Sequence, residues 1–504
     1  MCGIIGIINP TREYLQNLPA ALSLLEHRGK DGCGIADGLA IVHEQSKERF
    51  LQHITQLSKQ NQSPPPFVLL HYRHAIVDDV AQPLGTVGTR NNVPNTVFIY
   101  NGEIYNWERL NKKYQFHAKN DADLFFQLWM KNKKACLPEL NGVYAFASVT
   151  DNEVILCRDF FGERPLVYTI QDGVLSFASE GKALHALGIK NPITLHPREI
   201  LYYNRITRQW RIEQKERFAL PQESTQSKEQ ILQELSEKII ESVRIRTEGL
   251  GRFGILFSGG IDSTLLAWIC KKLNRTFVCY TVGYQDAGVS MPQDLLWAQR
   301  VADECKFPRT LIKIGDVELK QALPRVTKAI ETTDVIKVGV ATPFFIAGQH
   351  AKQDGVSVML SGLGSEELFA GYERHAKAAA KAETTMGDSV NEECLRGLLA
   401  MHDRDLYRDD LIMMANTLEL RLPFLDRNLI EYALSIPSRY KISSEQKKII
   451  LREAAEQLGL PAEFCWRKKM AAQYGSGVDK ALQRMAKKAG VKTKKEYLEL
   501  VARD

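Results

Sequence analysis

The second residue of this sequence is a cysteine, a residue type that can act as a nucleophile. Removal of the initiator Met1 predicts a mature chain that begins with Cys2, so that one residue carries both a thiol and an α-amine. The amine has a pKa near ~8 and can therefore accept the thiol proton, directly or through one water. Cys2 is accordingly a candidate N-terminal nucleophile. Taken alone, it leaves open the alternative of an inert, buried thiol.

Four motifs further along the chain contain the residue types that hydrolysis of a glutamine carboxamide needs: HRGKDG at 27–32, YR at 72–73, NGEIYN at 101–106 and NDAD at 120–123. The side-chain amide of Asn101 and the backbone N–H of Gly102 can stabilise an oxyanion. Arg73 suits the carboxylate of the substrate, while Glu103 and Asp121 suit its ammonium group. The alternatives are an Asn-Gly hairpin turn and a surface ion pair of the arginine. The combination with a leading cysteine favours the functional interpretation.

The N-terminal part of the chain resembles a class II glutamine amidotransferase domain. Besides the motifs above, RDFFGERPL at 158–166 and ASEGKAL at 178–184 match later motifs of that family. The resemblance implies an αββα fold of the N-terminal-nucleophile hydrolase type, and we assign this domain to residues 1–205.

The resemblance also implies roles for individual residues. Cys2 becomes the nucleophile, with Asn101 and Gly102 as the oxyanion hole. The glutamine-binding residues that it implies are Arg73, Ile76, Val77, Asn101, Gly102, Glu103 and Asp121. Lys30 and Asp123 stand where the family commonly has proline and glutamate, and neither change removes a catalytic group.

A second candidate site is SGGIDS at 258–263, which follows the apolar run 253–257 and precedes a helical pattern at 264–273. A strand, a glycine-rich loop and a helix in this order present backbone N–H groups to a phosphate. Neither a Walker A motif nor a Rossmann GxGxxG in the required context occurs in the sequence. A serine-capped turn without a ligand is the alternative.

SGGxDS resembles the pyrophosphate loop of enzymes that cleave ATP between its α- and β-phosphates to form an acyl-adenylate. Further motifs extend the match, over nearly the whole chain, to the glutamine-hydrolysing asparagine synthetase family: IETTD at 330–334, SGLGSEELFAGY at 361–372, RLPFLD at 421–426, KIILRE at 448–453 and WRKK at 466–469. The ATP-binding residues that this resemblance implies are Leu256, Ser258, Gly259, Gly260, Asp262, Ser263, Val282, Ser361, Gly362 and Lys448. It implies magnesium at Asp262 and Glu366, Glu367 near the metal and pyrophosphate, and Arg421 as a further cation for phosphate or substrate.

One departure from the family concerns the acceptor of the amide nitrogen. The family's SGEGSDE motif reads SGLGSEE here, so Leu363 replaces a glutamate associated with the β-aspartyl-adenylate. The usual arginine after IETxD is replaced by Gly339, with Lys337 and Arg374 as nearby cations and Glu331 as a substitute acid. SGLGSEE, GYERH at 371–375 and AAQYGSG at 471–477 resemble a shorter branch, the asparagine synthetase domain-containing proteins.

Three functions follow as hypotheses. The first is an ATP- and glutamine-dependent amide synthetase that acts on aspartate to give asparagine. The second is the same chemistry on another carboxylate, such as a modified uridine in tRNA; the basic residues near the C-terminus, from Arg467 to Lys495, favour either an RNA surface or a solvated helix face. The third is a regulatory protein without catalysis, against which the intact nucleophile and phosphate-loop motifs argue.

Composition is typical of a two-domain enzyme. The chain has 504 residues, 44% apolar content and a net charge of +6. It contains no apolar run long enough for a membrane span, and its nine cysteines lack CxxC spacing, which indicates a cytoplasmic protein without disulfides or a zinc site. A homodimer is a further expectation.

The pattern of residues from 228 to 504 predicts a second domain of the α/β class. Ser227 and Gln230 predict a capping box at its first helix, whose apolar residues recur at helical spacing. Apolar runs then alternate with helical patterns, which predicts a parallel sheet with nucleotide at the carboxyl ends of its strands, followed by a mainly helical C-terminal part.

Overall fold

The computed structural model describes residues 1–59, 63–76, 80–87, 94–215, 218–286, 291–382, 389–467 and 475–503. Packing of the backbone divides the chain into two compact units, Met1–Arg217 and Phe218–Asp504, called here the N-terminal and the C-terminal unit. Each unit has its own sheets and its own helices.

The described residues of the N-terminal unit form two antiparallel sheets. Their strands are β1 (Gly3–Ile8), β2 (Cys33–Ala36), β3 (Ile41–Glu44), β4 (Phe67–Tyr72), β5 (Leu84–Val87), β6 (Pro94–Ile104), β7 (Gly142–Thr150), β8 (Glu153–Arg158), β9 (Val167–Gln171), β10 (Val174–Ala178), β11 (Ile193–Thr194), β12 (Glu199–Asn204) and β13 (Trp210–Gln214). Sheet A has the order β11-β9-β10-β1-β4-β2-β3, and sheet B has the order β13-β12-β8-β7-β6-β5.

The two sheets pack face to face because alternate residues of each strand point to opposite sides. Ile4 and Phe177 of sheet A share one buried apolar cluster with Ile99 and Leu156 of sheet B. On the other face of sheet B, Phe98 belongs to a second buried cluster that also contains residues of two helices.

Helices cover the outer faces of both sheets. Those of the N-terminal unit are α1 (Arg12–Ser23), α2 (Lys47–Lys59), α3 (Trp107–Tyr114), α4 (Asp121–Asn132) and α5 (Gly181–Ala186). α1, α2 and α5 lie on sheet A, and α3 and α4 lie on sheet B. The predicted αββα layering is confirmed.

The C-terminal unit is built on a parallel sheet, called here sheet C. Its strands within the described ranges are β14 (Phe253–Leu256), β15 (Phe277–Tyr284), β16 (Arg309–Ile314), β17 (Val358–Leu360) and β18 (Glu419–Arg421), in the order β16-β15-β14-β17-β18. Because the strand order reverses between β14 and β17, the loops that follow these two strands lie side by side at the carboxyl edge. In parallel α/β sheets this position is where ligands bind.

Helices make up most of the rest of the C-terminal unit. They are α6 (Lys228–Thr247), α7 (Ile261–Lys272), α8 (Gln293–Cys305), α9 (Asp316–Ile330), α10 (Val335–Gln353), α11 (Ser365–Leu368), α12 (Glu373–Ala382), α13 (Val390–Leu399), α14 (Tyr407–Met414), α15 (Arg427–Ser435), α16 (Ser438–Lys441), α17 (Ile449–Gln457), α18 (Ala462–Cys465), α19 (Val478–Lys488) and α20 (Lys494–Val501). A five-residue π-helical segment, His402–Leu406, precedes α14.

Two predictions about these elements are confirmed. The Ser227 side chain accepts from the Gln230 N–H and the Gln230 side chain accepts from the Ser227 N–H, so α6 begins with a capping box. The predicted alternation of strands and helices gives a parallel sheet. In the part of the chain that the structure describes, the helices are too short or too polar to span a membrane.

Candidate active sites

Cys2 lies immediately before β1 and is held through both sides of its backbone. Its N–H donates to the Asn101 Oδ1 at 2.8 Å, and its carbonyl oxygen accepts from the Arg28 Nε at 3.2 Å. The residue is 8% exposed. β1 runs antiparallel to β4, with Gly3 opposite Tyr72, and this register brings Cys2 to the level of Arg73.

Asn101 and Gly102 lie within strand β6, where they pair with Ala145 and Tyr144 of β7. The alternative of a hairpin turn is therefore wrong. Asn101 is fully buried, and its Nδ2 amide has no hydrogen-bond partner among the described residues. An unpartnered buried donor is costly, so this N–H group is available to an incoming acceptor.

A close approach of two strands explains the glycine at position 102. A Cβ atom added there would lie 2.1 Å from the carbonyl oxygen of Val143. Only glycine lets the backbone of β6 come this near to β7. Packing therefore requires a glycine at position 102, in addition to the predicted role of its backbone N–H in the oxyanion hole.

Arg73 follows β4 and is 8% exposed, which excludes a surface ion pair. Its backbone N–H donates to the Gly32 carbonyl at 2.9 Å, and its carbonyl oxygen accepts from the Asp31 N–H at 2.9 Å. The guanidinium Nη2 also donates to the Asp31 carbonyl oxygen. The HRGKDG loop therefore wraps around the arginine and fixes its position.

The two acids predicted for the glutamine ammonium lie on neighbouring elements. Asp121 begins α4, and its Oδ2 accepts from the Tyr100 hydroxyl at 2.9 Å and from the Ile104 N–H at 3.0 Å. Glu103 is partly exposed on β6, on the same face of the strand as Asn101. Ile76 is half-buried. The predicted site residue Val77 lies outside the described residues.

A buried carboxylate that the sequence reasoning missed lies beneath the nucleophile. The Glu180 Oε1 accepts from the Arg28 Nη1 at 2.7 Å and contacts the His27 Nε2 at 2.8 Å, while its Oε2 lies 2.5 Å from the Lys182 Nζ. Glu180 and Arg28 are both fully buried. Because Arg28 also holds the carbonyl of Cys2, this group of charges positions the nucleophile. The signal was present in the ASEGKAL motif, which matched the family without a role.

The charge state of Glu180 follows from this arrangement. Burial alone would raise the pKa of the carboxyl group, but the positive charges of His27, Lys182 and Arg28 offset it and hold the pKa well below its usual range. Glu180 is therefore ionised throughout the physiological range of pH.

The SGGIDS loop connects β14 to α7 at the carboxyl edge of sheet C. Gly259 has a φ of +66°, and the Gly260 N–H donates to the Ser258 Oγ at 3.3 Å. The Ser263 Oγ accepts from the Ser258 N–H at 3.3 Å and donates to the Gly260 carbonyl. The loop thereby curls around the first turn of α7, whose free N–H groups and dipole favour an anion.

Lys448 joins the acids of this site. Its Nζ donates to the Asp262 Oδ1 at 2.7 Å and to the Ser365 Oγ at 3.1 Å, and lies 2.8 Å from the Glu366 Oε1. Asp262 and Lys448 are each 3% exposed. Three predicted residues from distant parts of the sequence therefore meet at one point.

The loop after β17 lies directly against the SGGIDS loop. A Cβ atom added to Gly362 would lie 2.7 Å from the Cβ of Asp262 and 3.3 Å from the N of Ser263. The neighbouring Ser361 is 6% exposed, and its Oγ accepts from the Leu363 N–H at 3.3 Å. Leu363 thus lies at the edge of the predicted nucleotide site.

The two predicted adenine contacts lie on adjacent strands of the same sheet. Leu256 ends β14 and is 8% exposed, and Val282 lies in β15 and is 6% exposed. The register pairs Leu256 with Tyr280. Val282 follows two positions later, so both aliphatic side chains lie near the carboxyl edge.

One predicted cation, Arg421, and one predicted acid, Glu367, form ion pairs within the protein. Arg421 is 1% exposed, and its guanidinium donates to the Glu419 Oε1 at 2.7 Å and to the Arg246 carbonyl at 2.9 Å. These contacts hold Arg421 in the interior, and its role as a cation for phosphate or substrate stays a prediction. Glu367, predicted to lie near the metal and pyrophosphate, forms an ion pair with Arg404.

The basic residues near the C-terminus are partly neutralised. Arg484 and Lys488 form ion pairs with Asp316, and Lys494 forms one with Asp479. Two further members of this group, Lys468 and Lys469, lie outside the described residues. The pairing favours a role in holding α19 and α20 to the unit, and it does not favour an RNA surface.

Comparison with known proteins identifies the family of both parts of the chain. A family model described as asparagine synthase matches residues 234–386 and 378–504, and one described as a glutamine amidotransferase domain matches residues 57–213. A Methanocaldococcus jannaschii protein assigned as a glutamine-hydrolysing asparagine synthetase is 32% identical over 560 residues, covering 100% of this chain and 99% of that protein. The chain belongs to the glutamine-hydrolysing asparagine synthetase family.

Other members of this asparagine synthetase family are similar over most of their length. Escherichia coli asparagine synthetase B is 29% identical over 95% of this chain and 82% of its own. Asparagine synthetase 2 of Oryza sativa subsp. japonica is 30% identical over 95% of this chain and 77% of its own. The predicted family, its α/β fold and its class as carbon–nitrogen ligases are confirmed.

Proposed function

We propose that this protein is a glutamine-dependent amide synthetase that converts aspartate to asparagine. In this proposal, residues 1–205 form the domain that releases ammonia from glutamine. Residues 228–504 form the domain that activates the acceptor carboxylate with ATP and gives AMP and pyrophosphate. The observation that carries the proposal is the arrangement of the Asn101 side chain. Its Oδ1 accepts a hydrogen bond from the backbone N–H of Cys2, and its buried Nδ2 has no partner among the described residues.

The first half-reaction uses the two functional groups of an N-terminal Cys2. After removal of Met1, the nitrogen that donates to Asn101 becomes the α-amine and takes the proton of the thiol. The thiolate attacks the glutamine carboxamide, and the Asn101 Nδ2 and the Gly102 N–H stabilise the oxyanion. The protonated amine returns its proton to the departing ammonia, and water then hydrolyses the thioester to glutamate.

The binding of glutamine follows from the charges around the nucleophile. Arg73, held by the HRGKDG loop, pairs with the substrate carboxylate. Glu103 and Asp121 bind its ammonium, and Ile76 and Val77 supply the remaining contacts. Because the arginine binds the carboxylate and the two acids bind the ammonium group, the glutamine is held in a single orientation.

The second half-reaction takes place at the carboxyl edge of sheet C. Leu256, Val282, Ser361 and Gly362 receive the adenosine, and the SGGIDS residues Ser258, Gly259, Gly260 and Ser263 receive the pyrophosphate through N–H and hydroxyl groups. Lys448 neutralises phosphate charge. The acceptor carboxylate attacks the α-phosphorus, pyrophosphate leaves, and ammonia displaces AMP from the resulting acyl-adenylate.

Magnesium suits the donor set of this site. Asp262 and Glu366 both reach the same lysine, so their carboxylates lie close together, and magnesium prefers one or two such oxygens together with phosphates. The described residues contain no group of three or more His, Cys, Asp or Glu side chains that could hold a metal. The ion would therefore enter with the nucleotide, neutralising the charge on its phosphates.

The regulatory and tRNA hypotheses gain less support. A protein without catalysis has no need for a held cysteine and an unpartnered amide, and the basic C-terminal side chains are partly used by internal ion pairs. The relatives and the described contacts support neither tRNA nor a homodimer. The nine cysteines, all without disulfides, support our proposal of a cytoplasmic protein.

A product-resolved assay tests this proposal. The enzyme is supplied with glutamine, ATP and magnesium, together with aspartate, with total tRNA or with neither. We expect asparagine, glutamate, AMP and pyrophosphate in equal amounts only in the aspartate reaction. Pyrophosphate release that requires tRNA, or ADP as the nucleotide product, would contradict it.

A further inference from the structure

The two cations close in sequence to the family's missing arginine belong to one group of contacts in the structure. Lys337, near the start of α10, donates through its Nζ to the Asp403 carbonyl at 3.1 Å. Asp403 belongs to the π-helical segment His402–Leu406, which also carries Arg404. The Arg404 Nη2 in turn lies 2.5 Å from the Glu367 Oε1, on the loop and helix that contain Leu363. Single π-helical turns are rare and are frequent at functional sites.

A second arginine completes this group of residues. The Arg374 Nη2 lies 3.8 Å from the same Glu367 oxygen, so the two guanidinium groups are neighbours. Both pack over the ring of Tyr372, with Cζ atoms at 4.1 Å and 5.8 Å from its centroid. Arg374 also pairs with Glu393 at 3.1 Å, and Arg404 also pairs with Asp405 at 2.5 Å. The ring and these acids hold the two planar cations side by side, and the arginine side chains keep 35% and 37% of their surface exposed.

Buried polar atoms in this group have no partners of their own. Glu367 and His375 are both fully buried. The Glu367 Oε2 and the His375 Nε2 have no hydrogen-bond partner among the residues that the structure describes. Such atoms are uncommon and costly in a folded protein, and they indicate a site that a polar ligand completes.

The group also lies next to the adenylation site. Glu366 and Glu367 are consecutive residues of α11, and Glu366 contacts Lys448 at 2.8 Å whereas Glu367 contacts the arginines. The Gly371 N–H donates to the Glu366 carbonyl at 2.8 Å, which brings the chain that leads to Arg374 back onto this helix. Adjacent residues of α11 therefore contact the arginines and the lysine of the predicted phosphate site.

We propose that Arg374 and Arg404, supported by Lys337, bind the α-carboxylate of the acceptor, a small α-amino dicarboxylate. This inference rests on the proposed function and deepens it, because it assigns the acceptor site to residues outside the family motif. Paired guanidinium groups match the two oxygens of a carboxylate, and the arginines hold its far end while its other carboxylate reaches the nucleotide. Leu363 then needs no charge of its own.

Substitution of Arg404 tests the proposal on the full-length enzyme. Ammonia replaces glutamine, so that acceptor binding is measured apart from glutamine hydrolysis. For Arg404→Gln we expect the KM for L-aspartate to rise about 10- to 100-fold, with the KM for ATP and the glutaminase rate within about two-fold of the wild type. Arg404→Lys keeps one charge and should be intermediate. Arg427→Gln is the control, because Arg427 is similarly exposed and forms an ion pair with Glu431.

Calorimetric titration of L-aspartate into each variant, with magnesium and a non-hydrolysable ATP analogue, separates this inference from the proposed function. Binding by the wild type that Arg404→Gln weakens at least ten-fold supports the site even if asparagine is not formed. Asparagine synthesis with the same KM for aspartate in both proteins would overturn the site and leave the proposed function intact. Absence of both binding and turnover in the wild type would overturn both.

Discussion

The two units place a buried cluster of ions at the base of each candidate site, but with opposite arrangements. In the N-terminal unit a single acid, Glu180, is surrounded by His27, Arg28 and Lys182. In the C-terminal unit a single base, Lys448, is shared by two acids. The first cluster holds a positively charged group, the Arg28 guanidinium, at the backbone carbonyl of Cys2. The second consists of groups that each suit a different part of magnesium pyrophosphate.

The difference reflects what each site must do. Thiol chemistry needs a nucleophile held in one position throughout, and Glu180 reaches it only through Arg28, which donates to the Cys2 carbonyl. A nucleotide site must instead exchange internal ion pairs for ligand. Lys448 can pass from carboxylate to phosphate, and its acids to the metal, with little change in total charge. The predictions below test this contrast, from the largest expected effect to the smallest.

Cys2→Ala should reduce glutaminase activity by about a thousand-fold or more, because the nucleophile is lost. Asparagine synthesis with added ammonia should persist at the rate of the wild type. Both rates are measured on the same preparation, by glutamate and pyrophosphate release. Cys33→Ala, which alters a half-buried thiol elsewhere in sheet A, should leave both unchanged. Normal glutamine hydrolysis by Cys2→Ala would refute the nucleophile.

Glu180→Gln should destabilise the N-terminal unit by about 3–5 kcal/mol at neutral pH, since the buried Arg28 and the largely buried Lys182 lose their counterion. The folded-state pKa of Glu180 is depressed, so its contribution is complete above the unfolded pKa of about 4.3 and falls as the pH drops below it. Calorimetry should therefore show a wild-type advantage that shrinks below that pH.

Glu153→Gln serves as the control for that experiment, because Glu153 forms an exposed ion pair with Arg211. Its effect should be below about 1 kcal/mol at every pH. An equal loss in both variants, or a wild-type advantage over Glu180→Gln that grows in acid, would contradict the role assigned to Glu180.

Lys448→Met should lower pyrophosphate formation by about a hundred- to a thousand-fold, because phosphate charge loses its buried partner. Glutamine hydrolysis should continue, since the change lies in the other unit. The adjacent Lys447 pairs with the exposed Glu373, and Lys447→Met should retain pyrophosphate formation within about two-fold. Equal losses in the two variants would show that position 448 has no special function.

Gly102→Ala should destabilise the N-terminal unit by about 1–3 kcal/mol and reduce glutaminase activity, because its Cβ would meet the Val143 carbonyl. Gly251→Ala is the matched control, since a Cβ at Gly251 meets no atom within 4 Å. Calorimetry on the full chain checks both. An unchanged unfolding temperature for Gly102→Ala would argue against the close approach of β6 and β7.

The sequence predicted those features that depend on local pattern. The capping box at Ser227 and the parallel sheet follow from residue spacing. Lys448, which a motif predicted for the phosphate site, lies beside Asp262 of the SGGIDS loop. Long-range packing could not be predicted in this way. Arg421 has the residue type of a phosphate ligand, but its contacts with Glu419 and the Arg246 carbonyl arise only in the fold. The amino-acid composition of His402–Leu406 likewise does not predict a π-helical segment.

Glu331 illustrates the same limit. The sequence made it the first substitute for the acid missing at Leu363, because it lies in the IETTD motif. In the structure it ends α9 in a left-handed conformation with a φ of 55°. Of the two acids in α11, which follows Leu363, Glu367 is joined to Arg404, a residue 37 positions further along the chain.

Transfer of oxygen from acceptor to nucleotide tests the central claim most directly. The enzyme is given ATP, magnesium, ammonia and aspartate whose β-carboxylate carries oxygen-18, and AMP is analysed by mass spectrometry. Attack of the carboxylate on the α-phosphorus predicts one heavy oxygen in each AMP and one asparagine formed for each AMP released. AMP without the label, or label found in inorganic phosphate together with ADP, would contradict activation of the acceptor as an adenylate.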